Sequence, residues 1–299
     1  MNSQNKAYIY AIATVLLWST VATAFKIALK ELDFFQLLNI ASFTATIVLF
    51  VVILFQQKWK EVLKITPRAF LISVFLGLLN PFAYYLVLFK AYDILPAQEA
   101  QPLNYVWPLM LVLISIPLLK QKISVVSLLA IFISFFGVLV ISTHGHVLQM
   151  KFSNLSGALL ALGSSVIWAF FWVLNLKDKR DEVIKLFWSF LIGAVLSFAA
   201  VLIFSEPAFP ATLSGLAAVY SGLFEMGITF LLWMKALKYS STTAKVSNFI
   251  FASPFLSLLG IYFIVGEKIL PSTITGLILI VAGIIIQQYS GVSAKTRKA

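Results

Sequence analysis

The sequence has 299 residues, of which 61% are hydrophobic and only 11% are charged, with a mean hydropathy of +0.98. A soluble domain carries about 25% charged residues, so this composition excludes a water-soluble fold and predicts a protein whose solvent is lipid. The net charge of +11 does not indicate a nucleic-acid partner, because the basic residues occupy short loops between apolar runs, and the absence of Cys excludes a disulfide or a thiolate metal site.

Ten apolar runs follow one another along the chain, each close to the roughly 20 residues that a membrane-spanning helix needs. They cover residues 7–29, 34–55, 69–89, 98–119, 123–142, 155–175, 184–204, 214–234, 244–264 and 270–290. The connections between them are too short for a soluble domain. The sequence therefore predicts an all-α membrane protein with ten transmembrane helices embedded in the lipid bilayer.

The distribution of basic residues predicts how these helices are oriented. If both termini face the cytoplasm, 17 of the 22 Lys and Arg residues fall on the cytoplasmic side. These are Lys6 and the basic residues of 56–68, 120–122, 177–185, 235–245 and 295–298. Cytoplasmic loops of membrane proteins carry such an excess of positive charge. The N and C termini are therefore predicted to be cytoplasmic.

The second half of the sequence repeats features of the first half in the same order. Matching residues are Trp18 and Trp168, at an offset of 150, and the pairs Pro108–Pro254 and Gly137–Gly283, both at an offset of 146. Each half holds five predicted helices, an odd number, so the second half must be inverted relative to the first. We therefore predict two five-helix domains, residues 1–146 and 147–299, in the inverted arrangement that is typical of transporters.

Polar residues and prolines interrupt one face of the fourth apolar run. The residues at the i, i+3, i+4 and i+7 positions of this face are Gln101, Asn104, Tyr105 and Pro108. The corresponding part of the ninth run contributes Ser247, Asn248 and Pro254. Two interpretations stay open: such residues can bond neighbouring helices in a membrane, or they can line a polar cavity along a substrate pathway.

Aromatic residues deep in other runs add candidates for the same pathway. Trp18 and Trp168 lie well inside the first and sixth runs, although a membrane Trp is most often an anchor at the interface. The third run contains Asn80, followed by a proline and then by Tyr84, which makes a second polar interruption. We include all four residues among the candidates for lining a cavity.

Glu225 lies near the middle of the eighth run and is the most informative single residue. An ionised carboxylate is costly at that depth, so it should be protonated, paired or hydrated. It is either a contact for a substrate amine or a proton, or a protonated side chain bonded to a neighbouring helix. No catalytic motif or metal-ligand cluster accompanies it, and the two His residues, His144 and His146, are expected in a solvated loop. The sequence thus predicts no cofactor, no metal and no enzymatic activity.

Over about residues 7–290 the chain resembles the drug/metabolite transporter superfamily, in its ten-helix branch known as the EamA family. The segments LLWST at 16–20, NYVWP at 104–108 and IWAFFWVLN at 167–175 are most similar to the bacterial aromatic amino-acid exporters. The resemblance implies an inverted five-plus-five bundle around a central cavity, with Asn104, Tyr105 and Pro108 in its wall. Glu225 departs from the pattern expected of the aromatic exporters.

This resemblance and the inverted repeat together predict a secondary transporter in the bacterial cytoplasmic (inner) membrane. We expect it to export small amphipathic metabolites such as aromatic amino acids by alternating access, with a proton as a candidate coupling ion. A carrier of a drug, a polyamine or a nucleotide sugar is the main alternative. A non-transporting membrane sensor and an intramembrane enzyme are the others. The sequence does not fix the oligomeric state.

Overall fold

The computed structural model describes residues 2–119, 124–149, 152–240 and 249–296, and all regular structure in these ranges is helical. The α-helices are α1 (Ser3–Ala28), α2 (Phe34–Phe55), α3 (Trp59–Val62), α4 (Pro67–Gly77), α5 (Tyr84–Ile94), α6 (Ala97–Asn104), α7 (Trp107–Leu119), α8 (Val125–Ser142), α9 (Leu155–Lys177), α10 (Glu182–Phe204), α11 (Leu213–Ser221), α12 (Ile228–Tyr239), α13 (Ser253–Gly260) and α14 (Pro271–Thr296). Three π-helical segments join neighbouring α-helices or extend one: π1 (Leu78–Ala83), π2 (Gly222–Gly227) and π3 (Ile261–Val265). A short 3₁₀ turn covers Val147–Gln149.

Six continuous helical stretches in the described ranges are long and apolar enough to cross a membrane. They are Ser3–Ala28, Phe34–Phe55, Pro67–Ile94, Leu155–Asn175, Glu182–Phe204 and Leu213–Tyr239. Shorter apolar helices cover Leu128–Ser142, Ser253–Val265 and Pro271–Ile286. The all-helical membrane architecture agrees with the sequence-based expectation, while the count of ten spans and the position of the termini stay predictions.

Polar side chains fix where several of these helices begin. The Asp33 side chain accepts hydrogen bonds from the backbone N–H groups of Phe35 and Gln36, and the Gln36 side chain accepts one from the backbone N–H of Asp33. Asn154 and Asp181 accept from the first turns of α9 and α10 in the same way. These contacts satisfy N–H groups that have no partner inside the helix, which is why the spans start at these residues.

The fourth apolar run is not one continuous helix, because it breaks just before Pro108. Helix α6 ends at Asn104 and α7 begins at Trp107, so Pro108 lies in a first turn. In the second half, α13 begins at Ser253 and places Pro254 in its first turn as well. Proline is tolerated there because the first turn does not need its missing N–H. Both halves thus break a membrane helix at positions that differ by 146 residues.

Helices α2 and α10, the second spans of the two halves, run antiparallel along their whole length. Their aromatic contacts are Phe35–Phe204 (5.6 Å between ring centroids), Phe43–Phe198 (6.4 Å) and Phe50–Phe187 (5.7 Å). Residue numbers rise along one helix as they fall along the other. The two helices therefore run in opposite directions.

The last spans of the two halves, α8 and α14, pack along a seam of glycines. A Cβ atom added to Gly137 would lie 2.5 Å from the carbonyl oxygen of Gly276, and one added to Gly283 would lie 2.5 Å from that of Ala130. The shift of 146 residues that relates Gly137 to Gly283 also relates Ala130 to Gly276. Each contact is thus repeated with the halves exchanged, as in a two-fold symmetric interface.

The centre of the bundle lies between helices of both halves. Helix α1 packs against α11, α12 and α13, whereas α5, α6 and α7 pack against α9. Small residues such as Ala22, Ala91 and Ala169 are fully or almost fully buried in this region and allow the helices to approach closely. This arrangement surrounds a central cavity with side chains from both halves.

Candidate functional site

One cavity lies between α1, α5, α6, α9 and the segment formed by π2 and α12. It holds about 630 Å³ of atom-free space, its open mouth included. Its lining residues are Trp18, Val21, Phe25, Tyr84, Leu88, Tyr92, Gln101, Asn104, Tyr105, Trp107, Trp168, Trp172, Glu225, Trp233 and Ile250. Both halves contribute, and most of the wall is aromatic.

Tryptophan dominates the wall, since five of the seven in the sequence line this cavity. The rings of Trp18 and Trp233 are 6.0 Å apart, and those of Trp168 and Trp172 are 5.8 Å apart. Phe230 lies between the two pairs, 6.4 Å from Trp18 and 5.5 Å from Trp168, edge-on to both. These contacts hold the indole rings in fixed orientations around the cavity.

Asn104 is fixed by two hydrogen bonds at the point where α6 ends. The Tyr84 hydroxyl donates to its Oδ1 at 3.3 Å, and its Nδ2 donates to Ser164 Oγ at 2.9 Å. The side chain is 7% exposed, so these bonds satisfy an amide that hydrocarbon could not. The chain Tyr84–Asn104–Ser164 therefore connects α5, α6 and α9 beside the cavity.

Glu225 lies on π2 and is 8% exposed. The Tyr85 hydroxyl donates a hydrogen bond of 3.1 Å to its Oε1, and Trp18 Nε1 donates to its backbone carbonyl at 3.4 Å. Within the described ranges, no Lys, Arg or His forms an ion pair with this carboxyl. Segments of π-helix often occur at functional sites because they turn a side chain away from the regular helical register. Glu225 can hold a proton or a cation that enters the cavity.

Gln101 adds an unsatisfied polar atom to the wall. Its side chain is 3% exposed, and its Oε1 has no hydrogen-bond partner among the described residues. Leaving a buried acceptor unpaired costs about 1–3 kcal/mol, which a ligand donor would recover. Two residues of the cavity wall, Gln101 and Glu225, thus carry acceptor oxygens, one neutral and one acidic.

The structure brings seven of the twelve sequence candidates together around this cavity and places others elsewhere. Those in the lining are Trp18, Tyr84, Gln101, Asn104, Tyr105, Trp168 and Glu225. Asn80 is fully buried in π1 and does not line the cavity, and neither of its amide atoms has a partner among the described residues. Pro108 and Pro254 occupy first turns outside the lining. Ser247 and Asn248 lie outside the residues that the structure describes.

Several lining residues were not among the sequence candidates, most notably Trp107, Trp172 and Trp233. Helical spacing could have indicated two of them. Trp172 follows Trp168 by four residues, and Trp233 follows Glu225 by eight, so each pair shares a face of an ideal helix. The expectation that a membrane Trp anchors the interface concealed this pattern.

Two carboxylates join the halves near one end of the bundle: Glu99 in the first turn of α6, and Glu267 in the loop before α14. Glu99 accepts from Ser153 Oγ (2.7 Å), and its Oε1 shares a hydrogen bond of 2.6 Å with His144 Nε2. Glu267 accepts from the backbone N–H groups of Ala97 (2.9 Å) and Gln98 (3.2 Å). Glu99 is only 1% exposed. His144 lies in an exposed turn, as expected from the sequence, and in addition contacts Glu99 across 45 residues, which local sequence does not reveal. We call this set of contacts the carboxylate network.

The loop between α9 and α10 carries an ion pair outside the membrane-spanning segments. Arg180 bonds both carboxylate oxygens of Asp178, and its Nη1 donates to Ala69 O and to Ser73 Oγ on α4. Partial burial opposes ionisation of Asp178, but the hydrogen bonds from Arg180 outweigh it and hold the pKa of this carboxyl below its usual value. The pair fastens this loop to α4.

Comparison with known proteins places this geometry in context. Residues 5–143 and 155–287 each match the model of the EamA-like transporter family. The chain is 24% identical over 289 residues to an uncharacterized transporter, YoaV, of Bacillus subtilis (strain 168), covering 95% of this chain and 97% of that protein. An uncharacterized transporter of Clostridium kluyveri is also 24% identical, over 98% of this chain and 96% of its own.

The fold also matches a solved structure. A crystal structure of another protein, 23% identical, superposes with a TM-score of 0.68 over 95% of this chain and 97% of its own. At this level of identity the match concerns the fold alone. The match extends over both halves of the chain, so the two proteins share the whole fold and not one half alone.

Proposed function

The chain belongs to the EamA-like transporter family, and from this premise we propose that it carries a small amphipathic metabolite across the bacterial cytoplasmic membrane by alternating access. The observation on which the proposal rests is the central cavity, because side chains of both halves line it. A substrate held there would contact the aromatic walls and the polar groups of Asn104, Gln101 and Glu225. It would be released when the halves move relative to each other.

An inverted arrangement of the two halves is part of this proposal. The antiparallel pairing of α2 with α10 and the reciprocal glycine contacts between α8 and α14 support it. In transporters built this way, the halves rock around a site near the middle of the membrane. The distribution of basic residues supports ten spans with both termini in the cytoplasm.

Coupling to an ion gradient is proposed because the sequence contains no phosphate-binding G-x-x-x-x-G-K-[ST] motif. We propose the proton as the coupling ion and Glu225 as the group that holds it, since this buried carboxyl faces the cavity and bonds to Tyr85. The resemblance of NYVWP to the aromatic exporters supports export as the net direction.

The cavity wall favours some substrate classes over others. Aromatic rings suit the apolar part of an aromatic amino acid or of an amphipathic drug. A nucleotide sugar would bring phosphates into a cavity whose described lining residues include no Lys, Arg or His. A polyamine would bring several positive charges to one carboxyl. The substrate is therefore proposed to be a small amphipathic metabolite with an aromatic or apolar part, such as an aromatic amino acid.

A growth screen tests this function directly. Cells that produce the protein are exposed to toxic analogues of aromatic and other amphipathic metabolites, and resistance reports export. We expect Trp18→Ala and Asn104→Ala to abolish any resistance. Leu16→Ala is the matched control, since Leu16 lies on the same helix as Trp18 but is 54% exposed towards the surface. Resistance that survives both cavity variants, in protein that still reaches the membrane, would contradict the site assignment.

Flux into proteoliposomes separates a carrier from a membrane sensor. A ligand that quenches tryptophan fluorescence should also accumulate when a pH gradient is imposed. Ligand binding without any flux, in protein shown to be correctly inserted, would contradict the transport proposal.

A further inference from the structure

We propose that the substrate of this cavity is a monovalent organic amine with an aromatic or apolar body and no carboxylate. The inference rests on the proposed function and narrows its substrate class from amphipathic metabolites in general to amines, which excludes the aromatic amino acids given there as an example. It follows from the charge and the polar inventory of the wall, which point to a cation rather than to the zwitterion that an amino acid would bring.

The charge of the cavity is the first reason. Among the described lining residues, Glu225 is the one ionisable acid, and no Lys, Arg or His accompanies it. An ammonium group that binds as Glu225 releases its proton makes a neutral pair with the carboxylate. A zwitterion would bring a second carboxylate, for which the described lining offers no cationic partner, into a region of low dielectric constant. An uncompensated buried charge is strongly unfavourable, whereas a paired one is tolerated.

The aromatic wall is the second reason. Five tryptophans line the cavity, and tryptophan is the best aromatic partner for a cation placed over its face. The faces of these rings carry negative charge density, so they attract an ammonium group and disfavour a carboxylate. The pair Trp18–Trp233 joins the two halves, whereas Trp168 and Trp172 both belong to the second half. A cation between the two pairs would therefore contact both halves.

The hydrogen-bonding groups are the third reason. Gln101 lines the cavity, and its buried Oε1 has no partner in the described part of the chain, which leaves this wall with an acceptor that lacks a donor such as an ammonium N–H. One N–H of the Asn104 amide is used by Ser164, and the indole N–H of Trp18 is used by the Glu225 carbonyl. A substrate carboxylate would therefore find no cationic partner among the described lining residues and would depend on neutral donors alone.

A series of ligands with one ring and different charges tests the proposal without any mutation. The purified full-length protein in lipid nanodiscs is titrated with phenethylamine (a cation), phenylalanine (a zwitterion) and 3-phenylpropionate (an anion), and tryptophan quenching is recorded. We expect phenethylamine to bind at least about tenfold more tightly than phenylalanine, and 3-phenylpropionate not to bind. The reason is that an ion pair in a desolvated site contributes more binding free energy than a tenfold difference in affinity requires. Equal or tighter binding of phenylalanine overturns the proposal, and so does failure of phenethylamine to bind.

The role of Glu225 is tested by comparing Glu225→Gln with Glu225→Asp. The first variant should lose about tenfold or more of its affinity for phenethylamine, while the second keeps a preference for the cation. An unchanged preference in Glu225→Gln contradicts the assignment of Glu225. If Glu225→Gln does not fold, the comparison of the three ligands on the unmodified protein still decides the question.

Flux measurements distinguish a wrong substrate class from a wrong function. Proteoliposomes that take up phenylalanine but not phenethylamine keep the transport proposal and overturn the amine proposal. If neither these compounds nor the metabolites of the growth screen move, the transport proposal itself fails, and the amine proposal fails with it.

Discussion

The hydroxyl of Tyr85 donates a hydrogen bond of 3.1 Å to Oε1 of Glu225, across 140 residues of sequence and between the two halves of the chain. Tyr85 is fully buried, so its ring packs in place whether or not the hydroxyl is present. The bond thus ties a first-half side chain to the carboxyl that we propose as the site of the proton or cation. Movement of one half relative to the other would change this contact.

Replacement of Tyr85 by Phe is expected to slow pH-driven transport by about tenfold or more, because a hydrogen bond to a charged group contributes about 1.5–3 kcal/mol. Uptake into proteoliposomes at several substrate concentrations measures the effect. Tyr262→Phe is the control, since Tyr262 is 52% exposed at the surface of the bundle. Equal rates for the two variants would show that the hydroxyl has no part in transport.

Substitution of Gly137 by Ala should destabilise the protein by about 1–3 kcal/mol, the usual cost of overpacking. The added methyl group would meet the Gly276 carbonyl oxygen at 2.5 Å, which forces α8 and α14 apart. Gly163→Ala is the matched control, because Gly163 also lies within a helix but has open space where the methyl group would go. That control should gain up to about 1 kcal/mol from helix propensity. Thermal unfolding in detergent compares the two, and similar melting temperatures would contradict the glycine seam.

Loss of charge at Glu267 should loosen the carboxylate network. Its carboxylate accepts from two N–H groups at the start of α6, a position where a negative charge is favourable. Because the chain has no Cys, a single Leu88→Cys substitution in the cavity gives one site for maleimide labelling. We expect Glu267→Gln to raise the labelling rate of this cysteine by about fivefold, corresponding to about 1 kcal/mol. Glu206→Gln, at an exposed position near the same end, should leave the rate unchanged, and an equal increase there would refute the role of the network.

The ion pair of Asp178 and Arg180 predicts a dependence of stability on pH. Because the pKa of Asp178 is lowered in the folded state, its stabilisation is complete above the unfolded pKa of about 3.9 and is lost as the pH falls through the folded value. The melting temperature of Asp178→Asn should lie below that of the unmodified protein at pH 6, and this difference should shrink below about pH 4. Asp178→Asn in an Arg180→Gln background should have a smaller effect, since the partner is already gone. A difference that is constant from pH 6 to pH 3 would exclude this linkage.

Helical spacing was sufficient to find part of the cavity wall. Gln101, Asn104 and Tyr105 share a face because α6 is regular up to Asn104, so counting residues gives their relative directions. Trp18 and Trp168 could be found because the repeat relates them. Both line the same cavity, whereas the sequence left anchoring at the membrane interface open as an alternative.

Asn80 illustrates where such counting fails. It precedes Tyr84 by four residues, which puts both on one face of an ideal helix. The segment π1 and the non-helical backbone of Asn80 change this register, so Tyr84 faces the cavity while Asn80 does not. A π-helical turn depends on packing against other helices, which a single sequence does not reveal.

Contacts between distant residues were also beyond the sequence. Glu267 reaches the start of α6 across 170 residues, and Glu99 contacts His144 across 45 residues. Each of these carboxylates lies near the end of a predicted span, where an exposed position at the membrane surface was the simpler expectation. Only the fold brings their partners within bonding distance.

The glycine seam links the evolutionary histories of the two halves. A larger side chain at Gly137 requires space that only a change around Gly276 can provide, and the same holds for Gly283 and Ala130. Duplicated segments normally diverge independently once they have separated. Here each half limits the side-chain size that the other half can accept, so substitutions at these four positions should covary in pairs among relatives. We expect this even in relatives whose cavity wall has changed to suit another compound.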